Sequence, residues 1–490
     1  MSERIVLRTL ADMTLANADR IAFERAELEL SAEAVATIAQ GRARFEAYLA
    51  RNEGYVYGST TAPGSRAKVV LSKDESRRQG ETLRNFLALQ TGVGGEMLPE
   101  RCVRLAVFGR LSNAMSGSGK LRSSTAQAVA NLLRSPPPVP MQSVACSGEV
   151  MPMTWLMSPL GDLPLAIGEA MALINGSPFA TAMACDVALT ARRRVNLANL
   201  IFGLSAEAAQ CPAGHFDLRL ADGWQDPFYK ESLQSIHSLL GESERKQLKH
   251  QAPTSWRVLP NLLASALQSL EEVSRSAAVG LKSLKDNPTF LRDAEDDHND
   301  AVVSSGGYHD HRAAKAIDQV NAVFTDLCLL ASRQVAHLMD GGDLGLPPLL
   351  ARANDHVGME YLVWGMTEPL ATARSRSAPT TLEIGLQDPA GNQSDIASLA
   401  SIAYAKHRAI AGSFDTCLAS LAMTAALALE FRDVPPPPPL RALAERLKAL
   451  CRSTERRVDV VGEPWRQCRE WLRACAEEAT SAELAAHFPE

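Results

Sequence analysis

Aromatic residues are scarce in this chain, at 5%, and its nine cysteines are scattered singly with no Cys-x-x-Cys pair. An odd, unclustered set does not suit a disulfide framework; the cysteines read as small buried hydrophobes of a reducing compartment. No block of lysine and arginine stands out, and the net charge is −6 with a pI near 6.0. A nucleic-acid partner needs a basic face that releases counterions, so that class is set aside. The most apolar uncharged stretch, Thr416 to Leu429, is too short to span a bilayer, and no membrane partner is expected. The first residues, MSERIVLRTLADM, are charged and lack a signal h-region. The expected location is the cytoplasm.

What is present is the balance of an ordinary globular protein, 46% hydrophobic and 22% charged over 490 residues. That length suits about three average domains or one large oligomeric enzyme fold. Alanine and leucine are abundant, and apolar residues recur at helical spacing over 187–209, 259–285, 313–339 and 396–431. The fold is expected to be mostly α. A short strand at 4–10 precedes an amphipathic helix at 31–51, with further helices at 75–90 and 99–113. Asn175-Gly176 reads as a helix stop. Helices as long as those between Val187 and Phe431 pack in a bundle or across subunits. Five prolines, Pro435–Pro439, mark a stiff linker before a helical cap. The expected division is 1–190, carrying the site loops, 191–432, the long-helix bundle, and 433–490, linker and cap.

Two candidate sites fail on their own terms. Ser116-Gly-Ser-Gly-Lys120 suggests a P-loop, but Ala114 stands where its first glycine belongs and Leu121 where Ser or Thr should hold magnesium. Asp293, Asp296, Asp297, His298 and Asp300, with Tyr308-His-Asp-His311, are dense in oxygen and imidazole, yet no His pair at helical spacing fixes them. They read as a solvated acidic loop, and no metal is expected.

The informative segment is Gln142-Ser-Val-Ala-Cys-Ser-Gly-Glu-Val-Met-Pro152. Gly148 has no Cβ, so its nitrogen can approach the carbonyl of Cys146 across Ser147. Ring closure with loss of two waters would yield a methylidene-imidazolone, an electrophile that no natural side chain supplies.

Several ordered segments extend that reading. Tyr57-Gly-Ser-Thr-Thr-Ala-Pro-Gly64, Thr91-Gly-Val-Gly94, Ser143–Pro152 and Glu169-Ala-Met-Ala-Leu-Ile-Asn-Gly-Ser177 occur in the order of the corresponding motifs of one enzyme family. So do Gln225-Asp-Pro227, Asp286-Asn-Pro288, Gly306-Gly-Tyr-His309 and Asn392-Gln393. Across residues 50 to 400 the chain resembles the histidine and phenylalanine ammonia-lyases. The resemblance implies a mostly helical homotetramer of the ammonia-lyase and fumarase-like type, with a smaller mixed N-terminal region. It implies a ring from Cys146-Ser147-Gly148, with Cys replacing Ala and its side chain outside the ring. Tyr57 falls on the loop tyrosine that removes the β-proton, a task for which its ordinary pKa near ~10 would have to fall. Asn175 falls on the asparagine that donates to a developing negative oxygen.

The departures sit in the substrate pocket. The family has Tyr and then Arg after Gln-Asp-Pro, the arginine holding the substrate carboxylate; here these are Phe228 and Glu231. Glutamate would repel a carboxylate at low dielectric. Lys230 or Arg312 are candidate substitutes, without arginine's usual fork geometry in the case of lysine. Ala88 and Leu89 occupy the pair that sets side-chain selectivity, Tyr308 the aromatic position, and Gln393 and Ser394 a motif that normally continues to an acid. The expected function is a carbon–nitrogen lyase or aminomutase acting on an amine or amino-acid-like substrate other than free histidine, phenylalanine or tyrosine. Two alternatives remain: a catalytically silent oligomeric binding protein, and elimination of another leaving group, similar to the betaine lyases related to this family.

Overall fold

The computed structural model describes residues 3–52, 54–88, 95–141, 148–241, 247–248, 251–352, 358–382, 396–452 and 462–487. Helices dominate, and among the described residues the strands form two two-stranded sheets. One is parallel, pairing Arg4–Leu7 with Glu27–Leu30; the other is antiparallel, pairing Thr289–Leu291 with Ala301–Val303. The mostly α expectation holds.

Two compact units are interleaved along the chain. The first comprises Met1–Leu189, Val273–Ile317 and Pro379–Ala405; the second comprises Thr190–Glu272, Asp318–Ala378 and Lys406–Glu490. Four of their five boundaries fall inside long helices, Pro178–Ala208, Leu259–Lys282, His311–Asp340 and Ala400–Ala428; the fifth, between Ala378 and Pro379, follows the helix Thr367–Arg376.

The first unit is organised around the helix Glu100–Met115, buried from Cys102 through Met115. Arg104 survives burial there because main-chain carbonyls receive its donors. Arg104 donates to the carbonyls of Ile21, Ala26 and Leu133 at 2.6–2.9 Å. The expected helix at 31–51 appears as Ala32–Arg51, with the Ser31 hydroxyl accepting from the Ala34 amide. The expected helix at 75–90 divides. Ser72 and Glu75 form a capping box that starts a short helix, Lys73–Arg77, and Arg78 leaves helical geometry before Gln79–Leu87 begins.

In the second unit, Arg194 is fully buried and makes paired hydrogen bonds to Asp415 at 2.8 and 2.9 Å and one to Glu477 at 2.5 Å. Glu477 also receives Arg408 at 3.0 Å, which ties the end of the C-terminal helix Gly462–Glu477 to the long helices. A second polar knot joins Trp256, Ser205 and Gln334. The helix Pro438–Arg452 begins within the proline run, where proline's missing N–H costs nothing in a first turn.

By length and composition Glu169–Ala208 and Ala400–Phe431 could cross a membrane, but 94% of each apolar window is buried inside the molecule. The seven described cysteines whose side chains can be followed are all buried and free of disulfides.

Candidate active site

The loop after helix Ala32–Arg51 folds on itself. The Val56 carbonyl accepts from the amides of Ser59, Thr60 and Thr61, while the Thr60 hydroxyl accepts from the Val56 amide at 2.8 Å. The turn requires positive φ at Gly58, where an added Cβ would lie 2.2 Å from Met171 Cγ. This closure turns Tyr57 back, so that its phenol oxygen accepts from the Gly64 amide at 2.7 Å. Tyr57 is half-buried, and burial pushes its phenol above the ordinary range while the Gly64 N–H opposes that rise.

Asn175 ends the helix Glu169–Ile174. Its main-chain carbonyl accepts from the fully buried Arg110. Gly176 follows at φ +121°, where a Cβ would stand 2.3 Å from the Lys285 carbonyl. The Asn175 position is therefore fixed by its own helix, 169–174, and by two segments remote in sequence, the helix 100–115 and the chain at Lys285.

Gly148 faces the Tyr308 ring, and a Cβ built on it would lie 3.1 Å from Tyr308 Cδ2. The next residue, Glu149, is buried, and its carboxylate accepts from the Phe179 and Ala180 amides at 2.6 and 2.7 Å. These are among the orphan donors at the start of a 31-residue helix, which explains why that helix extends back to Pro178. Burial still pushes the Glu149 carboxyl up to about 8. Lys285 lies in the same region, donates to the Thr181 hydroxyl at 2.6 Å and is brought down to about 8, again by burial, while Asp310 and Glu149 oppose that fall.

Tyr57, Gly148, Asn175 and Tyr308 converge on one cavity of about 600 Å³. Sequence reasoning named those four and missed the rest of its wall. Tyr55 and Phe86 add two aromatic rings, Val150, Met151 and Met171 add apolar surface, and Asn287, Ser304 and Ser305 add neutral polar groups. Met171 was legible in principle, since it lies four residues before Asn175 and so on the same helical face. Asn287 belongs to the quoted Asp286-Asn-Pro288 motif, and the fold adds its contact: its side-chain oxygen accepts from the Ser305 amide at 3.1 Å.

Ala88 ends the helix Gln79–Leu87 exposed to solvent; Phe86, two positions earlier, is the residue that lines the cavity. Phe228 is half-buried and Glu231 exposed on the helix Pro227–Leu240 of the second unit, outside the residues that line this cavity. Between them, Tyr229 is buried and stacks on Trp224 at 5.1 Å. Lys230 and Arg312 are exposed. Leu89, Cys146, Ser147, Gln393 and Ser394 lie outside the described residues. In the acidic loop, Asp300 pairs with Arg44 and Asp297 with Arg51, leaving only the exposed trio Asp296, Asp297 and His298 close together among the described residues.

The family model for aromatic amino acid lyases matches residues 13–162 and 157–453. The chain belongs to the aromatic amino acid lyase family. It is an enzyme of the ammonia-lyase type. It is 26% identical over 463 residues to a histidine ammonia-lyase of Burkholderia vietnamiensis, covering 87% of this chain and 89% of that one. Among solved structures, the tyrosine aminomutase of Streptomyces globisporus superposes with a TM-score of 0.83 at 20% identity, covering 97% of each chain. The ergothioneine-degrading ergothionase of Treponema denticola does so at 0.84 and 16% identity, over 96% of this chain and 99% of its own. The ammonia-lyase fold expected from the motifs is thus the one observed.

Proposed function

We propose that this lyase breaks a carbon–nitrogen bond, by elimination or by aminomutase migration, in an amine or amino-acid-like substrate held in the 600 Å³ cavity. The observation that carries this reading is the convergence of Tyr57, Gly148 and Asn175, from three separate segments, on one open-mouthed cavity. Such convergence is what positioned catalysis requires.

Gly148 fits the cyclisation reading, because the Tyr308 ring occupies the space a side chain would need. Cys146, Ser147 and Gly148 would form the methylidene-imidazolone, which supplies an electrophile for the substrate amine. Tyr57 takes the β-proton on its phenol oxygen, with the Gly64 amide stabilising the phenolate form. The Asn175 amide donates to the oxygen on which negative charge builds. Met171 and Phe86 add apolar surface to the cavity wall. No metal takes part in this scheme.

The long helices favour a homotetramer in which neighbouring subunits complete the pocket, and the composition favours the cytoplasm. Glu231 in place of a carboxylate-binding arginine favours a substrate other than free histidine, phenylalanine or tyrosine. The catalytically silent reading draws on one specific observation, the upward push on the Tyr57 phenol with no cation among the described lining residues to lower it. The experiment that separates the two is amine release from a panel of aromatic α-amino acids, β-amino acids and their carboxamides. The lyase reading expects release by the wild type that falls at least about a hundredfold in Tyr57→Phe. A panel with no amine released from any member would favour the silent protein.

A further inference from the structure

The run Ser116-Gly-Ser-Gly-Lys120 fails as a P-loop, yet its lysine is among the largest fully buried side chains of the protein. Its route inward is opened by missing side chains. A Cβ on Gly41 would stand 1.9 Å from the Gly117 carbonyl, so the turn lies directly on the helix Ala32–Arg51. Arg42 of that helix donates to the Lys120 carbonyl at 2.6 Å, which fixes the backbone from which the ammonium starts.

Lys120 Nζ donates to the Pro288 carbonyl at 2.7 Å and pairs with the Asp286 carboxylate at 3.1 Å. The other oxygen of that carboxylate accepts from the Asn287 amide at 2.9 Å. The Asn287 side-chain oxygen accepts in turn from the Ser305 amide at 3.1 Å. Asn287, Ser304, Ser305, Gly306 and Tyr308 all line the cavity. One buried ammonium thus anchors a stretch of cavity wall from behind, through bonds that all lie within the first compact unit. Asn113 holds the start of the same turn, exchanging hydrogen bonds with the Lys285 main chain at 2.9 and 3.1 Å, which leaves 286–288 to Lys120.

An ion pair is a costly filling for a core. The hydration lost by an ammonium and a carboxylate is barely returned by their attraction, and apolar side chains of similar volume hold a fold as well. What apolar packing does not supply is direction. The ammonium aims its donors at one carbonyl and one carboxylate oxygen, and so gives the turn a single placement. We propose that Lys120 is a positioning residue of this active site, holding the wall 286–288 and 304–308 in its reactive place through Asp286.

This inference rests on the carbon–nitrogen lyase reading for its kinetic consequence, and amide hydrogen exchange tests it apart from that reading. Lys120→Met alone strands the Asp286 carboxylate, so it is paired with the double variant Lys120→Met/Asp286→Asn. There both partners are neutral and an oxygen remains for the Asn287 amide. Asp286→Asn alone is the control, and urea midpoints establish that it and the double variant are equally stable. In the double variant the amides of Asn287 and Ser305 should exchange at least about tenfold faster than in the control, while those of the helix Glu100–Met115 keep their rates. On any amino acid or carboxamide that the wild type turns over, kcat/KM should fall at least about tenfold from the control. Exchange equal to the control overturns the inference. So does faster exchange with kcat/KM within about twofold of the control, the behaviour of a packing residue. If the wild type releases no amine from any member of the panel, the lyase reading fails by itself and exchange alone decides. Faster exchange at Asn287 and Ser305 then supports the anchor, and unchanged exchange contradicts it.

Discussion

Ser147 and Cys146 separate the account most sharply at the residue scale, because only one of them gives its side chain to the ring. Ser147→Ala cannot lose the second water, so turnover should fall by several orders of magnitude while circular dichroism and sedimentation stay unchanged. Cys146→Ala should retain activity within about threefold, since the thiol stays outside the ring. A folded but inactive Cys146→Ala protein would give the thiol a role of its own, as a nucleophile. The buried pair Glu149 and Lys285 yields a pH prediction. Glu149 is raised to about 8, so its protonated form favours the fold at low pH, and that contribution is lost as pH rises from about 5 through 8. Lys285 is lowered to about 8, so its contribution is absent below 8 and returns as pH rises toward the free-lysine range. Together they predict a shallow stability minimum near pH 8. Glu149→Gln should remove the falling limb, about 2–4 kcal/mol in denaturant midpoints compared between pH 5 and 8. Parallel wild-type and variant curves would contradict it.

The turns around the site, at the scale of elements, are set by glycines and caps rather than by helix propensity. Gly176 combines φ +121° with a Cβ position 2.3 Å from the Lys285 carbonyl. Gly176→Ala should therefore destabilise by about 2–4 kcal/mol in urea unfolding and displace Asn175 from the cavity. Gly223→Ala, where a Cβ meets open space, is the control and should cost under about 1 kcal/mol. Helix existence was legible here, because apolar periodicity and caps such as Ser31 are local signals. Helix limits were less so. Pro178–Ala208 starts nine residues before the periodic stretch, since its first turn is stabilised by Glu149, 30 residues away in sequence. Periodicity likewise missed the break at Arg78, where the backbone leaves helical geometry between Lys73–Arg77 and Gln79–Leu87. In the site, Tyr57, Gly148, Asn175 and Tyr308 were readable because each sits in a motif with a chemical reason for its residue type. Tyr55 and Phe86 were not, because their roles come from tertiary contacts that leave no mark on local pattern, and Asn287 was quoted in its motif without a role at the site.

The whole molecule carries four helices of 24 to 31 residues that run through both compact units. That interleaving has no sequence signature, since apolar spacing reports which face is buried and not against what. The account expects an obligate oligomer, with interfaces of this kind burying upwards of ~2,000 Å². Sedimentation at micromolar concentration should show a tetramer, and a clean 52.8 kDa monomer would overturn that assembly. Substrate choice also belongs to this scale, because Glu231 is exposed outside the described lining of the cavity and bears on substrate only through the proposed assembly. Wild-type turnover of free histidine, phenylalanine or tyrosine should be negligible, and Glu231→Arg, with Phe228→Tyr if needed, should raise it. Robust wild-type turnover of any of the three would remove the charge argument. The central claim is that the loop builds its own electrophile, and the mass of the purified intact protein tests it most directly. Cyclisation of Cys146, Ser147 and Gly148 removes two waters, so the account predicts a mass about 36 Da below that of the unmodified chain, with Ser147→Ala lying within one water of its own unmodified mass. A wild-type mass equal to that of the unmodified chain would contradict it.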